Sequence, residues 1–235
     1  MGKRDLSLSS RAENTREQRA PLKPLHFTLQ EIKNRFDLDM SVVDKNVESA
    51  DRLIDCGQCA EGETLLRAQI AFSEGIMDFY IHELSKYCLH QMFVGNRDKS
   101  QKYGSLKIPM SKVERALLLT TGDDWFFEHV NEEYSSCVFL GCEPMKDQLN
   151  LIGVSFIETI RVAFPNMEQK DAKELINRQF ARRNRIVHQN DRNHATADQD
   201  SISVAFVREY VGNIKKLVSA MHSVALKNDQ AVDYS

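Results

Sequence analysis

The sequence is poor in the residues that make tight turns, and it lacks long apolar runs. Its 235 residues include only 10 glycines and 5 prolines, together about half the usual share. Because sandwiches and barrels need many turns, this scarcity argues against an all-β protein. No run of about 18 apolar residues exists, so we expect no membrane-spanning helix. The N-terminal segment lacks an apolar core, so we also expect no secretory signal.

Cysteine is scarce, and the two signs of charge nearly balance. The chain has 5 cysteines, an odd number that suits reduced thiols and predicts a cytoplasmic protein. The formal net charge is −3, which excludes a protein that binds polyanions through its overall charge. Any contact with nucleic acid must therefore come from a local basic patch.

The two ends of the chain differ in composition from its centre. Residues 1–27 are basic and contain few apolar side chains, and Pro21 and Pro24 lie near their end. This composition predicts a flexible basic arm, with a leader that has no role as the alternative. We place a helical domain at residues 28–228 and a disordered tail at residues 229–235.

Helix signals recur along the central part of the chain. Thr28 and Glu31 have the spacing of a capping box and predict a helix that continues to about Cys56. A longer helix is predicted from about Glu63 to Val94, since its apolar side chains recur every three or four residues. The small residues of this helix share one face and predict a close crossing by another helix. They are Ala68, Ala71 and Gly75.

Further helices are predicted after this pair of long helices. One helix starts at a capping box of Ser111 and Glu114, and another ends near Tyr134. A single helix is predicted from Pro144 to Phe164, and the next two begin at Asn166 and Ser201. Only residues 137–140 resemble a strand. The chain is therefore predicted to be an all-α bundle with two long helices.

A dense basic cluster near residue 185 is the best candidate for chemistry. It holds five arginines and one aspartate, whereas the rest of the chain is acidic, and this contrast is typical of a phosphate-binding patch. Its alternative explanation is a solvated helix end, because arginine is favourable near a helix C-terminus. The residues are Arg178, Arg182, Arg183, Arg185, Asp191 and Arg192.

Within this cluster, the spacing of Arg183, Asn184 and His188 along one helix is informative. Asn184 and His188 lie four residues apart and share a helix face, whereas Arg183 lies about 140° from His188 around the helix axis. Arg183 and His188 can therefore converge only if the helix ends near His188 or if a second copy of the motif faces the first. The second option suits a symmetric dimer with a shared cleft.

The run from Arg183 to His188 resembles the Arg-x4–6-His signature of HEPN domains, in which Asn often follows the arginine. The long helix around Leu65–Ala68 and Asp78–Leu84 also looks like the second helix of the RiboL-PSP-type HEPN branch. The resemblance covers roughly residues 40–225. It implies an HEPN-like helical bundle that acts as a homodimer and cuts RNA without a metal or another cofactor.

The resemblance also assigns roles to residues. Arg183 and His188 would be the catalytic pair, with Asn184 as their polar companion. Histidine suits proton transfer near neutral pH, and a guanidinium suits the charge that develops on a phosphorane. Arg182 lies six residues before His188 and also fits the spacing, so the choice of Arg183 depends on Asn184. The predicted RNA contacts are Arg182, Arg185, Arg192 and His194. The alternative for His194 is that it is a solvated loop residue.

Weaker patterns lie outside this motif. Asp78 and His82 share a face of the long helix, either as a second layer behind the catalytic cleft or as a polar pair in the core. Cys56 and Cys59 have the spacing of zinc ligands, and Cys137 and Cys142 could complete four thiolates. The second pair lies far along the chain beside an apolar run, so we expect no metal.

The resemblance thus implies a metal-independent endoribonuclease whose setting is a toxin or an antiviral defence effector. Because a free ribonuclease harms its host, a neutralising antitoxin or a regulatory partner protein is expected with it. The main alternative is a non-catalytic helical module that binds RNA, a nucleotide or a partner. A third possibility is a structural subunit that assembles through the face formed by Ala68, Ala71 and Gly75.

Overall fold

A computed structural model describes residues 25–118 and 124–230. Within these ranges the chain forms eight α-helices and no β-strand, which confirms the predicted all-α class. Most of the predicted arm and the last five residues lie outside the described part. The helices are α1 (Leu29–Asp55), α2 (Cys59–Val94), α3 (Met110–Leu118), α4 (Asp124–Tyr134), α5 (Cys142–Leu151), α6 (Phe156–Ala163), α7 (Gln169–Gln189) and α8 (Val204–Gln230).

The frame of the molecule is a hairpin of the two helices α1 and α2. The predicted capping box is present at the start of α1, where the Thr28 hydroxyl accepts from the Glu31 amide and the Glu31 side chain accepts from the Thr28 amide. Gly57 adopts a φ of +83° in the turn between the helices, a conformation that costs glycine little. The chain can therefore reverse direction within three residues.

Helix α2 is the central element of the bundle. Its predicted apolar positions are all buried, from Leu66 through Met92. Helices α1, α4, α7 and α8 pack against it, and α8 also packs against α1 and α6. None of the helices in the described ranges combines the length and the apolar character that crossing a bilayer requires.

The close helix crossing lies at a different glycine from the predicted one. Gly75 is exposed, and a Cβ built on it would meet no atom within 4 Å. At Gly62, in contrast, a Cβ would lie 2.5 Å from Ile54 Cγ1 and 2.9 Å from the Ala50 carbonyl oxygen. The first turn of α2 therefore packs tightly on the last turns of α1. The sequence shows small residues but does not show which of them another helix covers.

The helix predicted from Pro144 to Phe164 is in fact two helices. Gly153 has a φ of +73°, and a left-handed residue ends an α-helix. The Ser155 hydroxyl then accepts from the Glu158 amide and caps α6. Ile152 and Val154, on either side of the break, are fully buried, so the break turns apolar side chains into the core.

Several predicted helix starts were wrong by a few residues. Helix α2 begins at Cys59, four residues before the predicted Glu63. Ser111 lies inside α3, which begins at Met110. Helix α7 begins at Gln169 and α8 at Val204, each three residues after its predicted start at Asn166 or Ser201. At α8 the Ser203 hydroxyl, not that of Ser201, accepts from a first-turn amide.

Candidate functional site

The predicted motif lies in the last two turns of α7. Arg183 and Asn184 are partly buried, and the Arg183 Nη1 donates to the Asn184 Oδ1 at 3.0 Å. His188 is exposed in the final turn, one residue before α7 ends at Gln189. In the described part of the chain, no hydrogen-bond partner occupies the His188 ring. Its ring nitrogens are therefore accessible to solvent.

Arg183 and His188 diverge within one chain. Helix α7 keeps its α-helical geometry through both residues. Five residues of α-helix separate two side chains by about 7.5 Å along the axis and about 140° around it. A helix that ends just after His188 therefore does not bring the pair together.

Arg183 lies close enough to two carboxyl groups of α2 to influence their titration, although it forms no ion pair with either of them. Its positive charge lowers the pKa of both Glu74 and Asp78, against the larger effect of burial, which raises both. The Arg183 Nε is buried and has no partner among the described residues. This arginine thus lies in a pocket of opposite charge rather than in open solvent.

Glu74 is the buried member of this pocket, and the sequence reasoning missed it. It is 2% exposed, and burial raises its pKa to about 7 although a hydrogen bond from Tyr210 and the charge of Arg183 oppose the rise. The Tyr210 hydroxyl donates to Glu74 Oε1 at 2.6 Å and lies 2.9 Å from the Gln179 carbonyl oxygen. A signal was available, because Glu74 lies four residues before Asp78.

Asp78 and His82 connect α2 to the segment that precedes α5. Asp78 Oδ1 accepts from the Phe139 amide at 2.8 Å, and His82 Nε2 lies 3.1 Å from the Cys137 carbonyl oxygen. The run predicted as a weak strand is irregular, and these contacts hold it in place. Asp78 therefore has a structural partner and a place beside Arg183 at the same time.

A buried ion network holds the loop after α7. Asp191 is 1% exposed. Its Oδ2 accepts from Arg182 Nη2 at 2.6 Å and from Arg67 Nε at 3.3 Å. The far end of this loop is also bound to α7, because Asp200 Oδ2 accepts from Arg182 and Arg185 at 3.0 Å each. Asn190 and Asp191 both have positive φ, at 50° and 58°.

This network changes the status of the predicted RNA contacts. Arg182 and Arg185 are neutralised by carboxylates of the same chain, and Arg192 donates to the Ala197 carbonyl oxygen at 2.7 Å. His194 is exposed in the loop. The positive charge that faces solvent is consequently smaller than the five arginines suggest, since Asp200 pairs with two of them.

The cysteines do not gather in one cluster in the part of the chain that the structure describes. All five are free thiols, exposed at Cys56 and Cys59 and buried at Cys88 and Cys142. In residues 25–118 and 124–230, no group of three or more potential metal-ligating side chains lies together. The two predicted thiol pairs therefore do not form one zinc site in this structure.

Comparisons with known protein families, with curated proteins and with solved structures found no match to this chain.

Proposed function

We propose that this chain is a metal-independent endoribonuclease of the HEPN type, with Arg183, Asn184 and His188 as its active residues. The observation that carries the proposal is their environment. An unpaired, exposed histidine lies in the last turn of α7, and a partly buried arginine lies five residues earlier, near acidic groups of α2. A solvated basic helix end would not need a buried carboxyl group behind one of its arginines.

The proposed reaction uses the 2′-hydroxyl of the RNA as the nucleophile. A base removes the 2′-hydroxyl proton, the O2′–P bond forms, and the P–O5′ bond breaks as an acid protonates the leaving O5′. The products are a 2′,3′-cyclic phosphate and a 5′-hydroxyl. His188 would transfer protons, Arg183 would stabilise the phosphorane, and Asn184 would orient the guanidinium to which it is hydrogen-bonded.

A homodimer follows from the chemistry, because the reaction needs both a base and an acid. One chain supplies one His188, and Arg183 diverges from it, whereas two facing copies supply two of each. An apolar face of α1 and α2 is available for association of two copies, since Val42, Phe72 and Phe79 are 51%, 60% and 45% exposed around Gly75. Exposed apolar patches of this kind are typical of protein interfaces.

The biological setting is proposed from the resemblance to HEPN domains alone. It is a toxin or an antiviral effector in the cytoplasm, controlled by an antitoxin or another regulatory partner. The five free thiols fit a reducing compartment.

The rival function is a binding module without catalysis. The divergence of Arg183 and His188 within one chain favours this binding module, because binding alone does not require the two side chains to meet at one phosphate. A cleavage assay separates the two functions.

Purified protein is incubated with end-labelled RNA in excess EDTA, beside His188→Ala and the control His26→Ala. His26 is an exposed histidine that precedes α1, and its ring stacks on Phe127 of α4. We expect cleavage by the wild type and by the control, and at least a ~100-fold loss in His188→Ala. RNA that all three proteins bind but leave intact would support the binding module instead.

A further inference from the structure

A cleft between α7 and α8 contains a buried amide without a hydrogen-bond partner. The volume of the cleft is about 260 Å³, and Asn213 of α8 is one of the residues that line it. Asn213 is only 8% exposed, and its side chain forms no hydrogen bond with another residue of the described ranges. Buried polar groups normally have a partner. The donor and the acceptor of this amide are therefore available to a ligand in the cleft.

Arg178 supplies the free positive charge of this cleft. It is exposed on α7, and its guanidinium forms no ion pair within residues 25–118 and 124–230. Arg182, one turn later, also lines the cleft, but Asp191 and Asp200 already pair with it. A guanidinium without a carboxylate partner suits a phosphate group, to which it can donate two parallel hydrogen bonds.

Phe206 and Glu209 add chemistry that suits a nucleobase. Both side chains are exposed and line the cleft from α8. Unpaired bases stack on aromatic side chains, and their amino groups donate to carboxylates. A carboxylate also disfavours a bare phosphate, because the two groups have the same sign of charge. The set of groups thus matches a nucleotide better than an inorganic anion.

The two helices that form the cleft are joined by hydrogen bonds. Gln179 Nε2 donates to the Tyr210 carbonyl oxygen at 3.1 Å, and the Tyr210 hydroxyl lies 2.9 Å from the Gln179 carbonyl oxygen. Arg182 Nη2 donates to the Ser201 carbonyl oxygen at 3.0 Å. These contacts fix α7 against the beginning of α8, so a ligand does not have to order the helices when it binds.

We propose that this cleft binds one unpaired nucleotide, with its base against Phe206, the edge of the base at Asn213 and Glu209, and its phosphate at Arg178. The cleft is slightly smaller than the roughly 300 Å³ at which pockets for drug-sized ligands begin, which favours one nucleotide over a longer ligand. An RNA strand and a free mononucleotide present the same base and phosphate. The inference goes beyond the proposed ribonuclease function, because such a cleft would serve a nuclease and a binding module alike.

Binding is measured by fluorescence anisotropy with the full chain and a labelled 2′-O-methyl RNA of about eight nucleotides. The methyl groups block the 2′-hydroxyls, so the strand is not cleaved. Phe206→Leu should raise the Kd by at least about 5-fold, the smallest loss expected for one stacked base. Phe206→Tyr keeps the ring and should restore the wild-type Kd. Asn213→Leu should raise the Kd by about 2- to 10-fold.

Arg178→Gln tests the phosphate contact. It should weaken binding and reduce the slope of log Kd against log salt concentration by about 0.7, the value for one phosphate of a single strand. Arg161→Gln is the matched control, because Arg161 is exposed on α6 and likewise has no ion pair in the described part of the chain. It should leave the Kd and the slope unchanged. Since Arg178 and Phe206 are exposed, their variants should fold, which circular dichroism checks.

Unlabelled competitors identify the source of the nucleotide. Displacement of the strand by a 5′-mononucleotide as effectively as by the unlabelled strand would identify a free nucleotide, and much stronger displacement by the strand would identify RNA. Equal displacement by inorganic phosphate and a mononucleotide, an equal Kd for Phe206→Leu and the wild type, or no binding of either nucleotide probe would overturn the proposal.

The cleft and the ribonuclease function can fail separately. Binding that depends on Phe206, without cleavage of unmodified RNA by the wild type, would contradict the ribonuclease function and leave the cleft. Cleavage by Phe206→Leu with the wild-type KM would contradict the cleft as a substrate site and leave the ribonuclease function.

Discussion

Replacement of Glu74 by glutamine should stabilise the protein at neutral and alkaline pH. The pKa of Glu74 is about 7 in the folded protein against its ordinary value of 4.5. The folded state therefore binds an additional proton between these values, and its stability falls as pH rises through this window. The stabilisation is present below pH 4.5 and is lost above about pH 7. The pKa difference corresponds to roughly 3 kcal/mol as an upper bound.

Urea unfolding of the wild type and of Glu74→Gln at pH 5, 6, 7 and 8 measures this effect. Glutamine keeps an oxygen that can accept from the Tyr210 hydroxyl but does not titrate. The free energy of unfolding of the variant should therefore gain on that of the wild type by up to roughly 3 kcal/mol between pH 5 and pH 8. Parallel curves for the two proteins would refute a buried, titrating Glu74.

Three further predictions concern the fold. Gly62→Ala should lower the free energy of unfolding by about 1–3 kcal/mol, because its Cβ would lie 2.5 Å from Ile54. Gly75→Ala is the matched control in open space and should raise it by up to about 1 kcal/mol, and urea unfolding measures both. Asp191→Asn should cost about 1–3 kcal/mol in the same assay, because Arg67 and Arg182 lose their shared buried carboxylate but keep Glu63 and Asp200 as partners. Asp198→Asn in the same loop should change stability by less than about 0.5 kcal/mol, and an equal effect would contradict the network. Thr28→Ala should cost about 1 kcal/mol by removing the cap of α1, which thermal unfolding monitored by circular dichroism will show.

Local patterns predicted the helices well where a pattern and a cap agreed. The apolar spacing of α2 identified its buried face, and the Thr28 capping box located the start of α1. Prediction failed where a helix boundary depends on tertiary packing. The break at Gly153 turns Ile152 and Val154 into the core. Its local signal, a glycine followed by the capping-box spacing of Ser155 and Glu158, was not used in the prediction.

The candidate site was predicted only in its continuous part. Arg183, Asn184 and His188 lie within six consecutive residues of the sequence, whereas the groups that surround them come from distant helices. Tyr210 lies 136 residues after Glu74, and Asp191 lies 124 residues after Arg67. Such pairs depend on how α2, α7 and α8 pack, so spacing along the chain could not reveal them. The same limitation hid Asp200, which neutralises two of the predicted RNA contacts.

The chemistry of the cut ends tests the central claim most directly. RNA incubated with the protein in excess EDTA should yield fragments with a 2′,3′-cyclic phosphate and a 5′-hydroxyl, and His188→Ala should yield none above background. Fragments with 5′-phosphate ends, or equal cleavage by His188→Ala, would contradict attack by the 2′-hydroxyl with His188 as the group that transfers the proton.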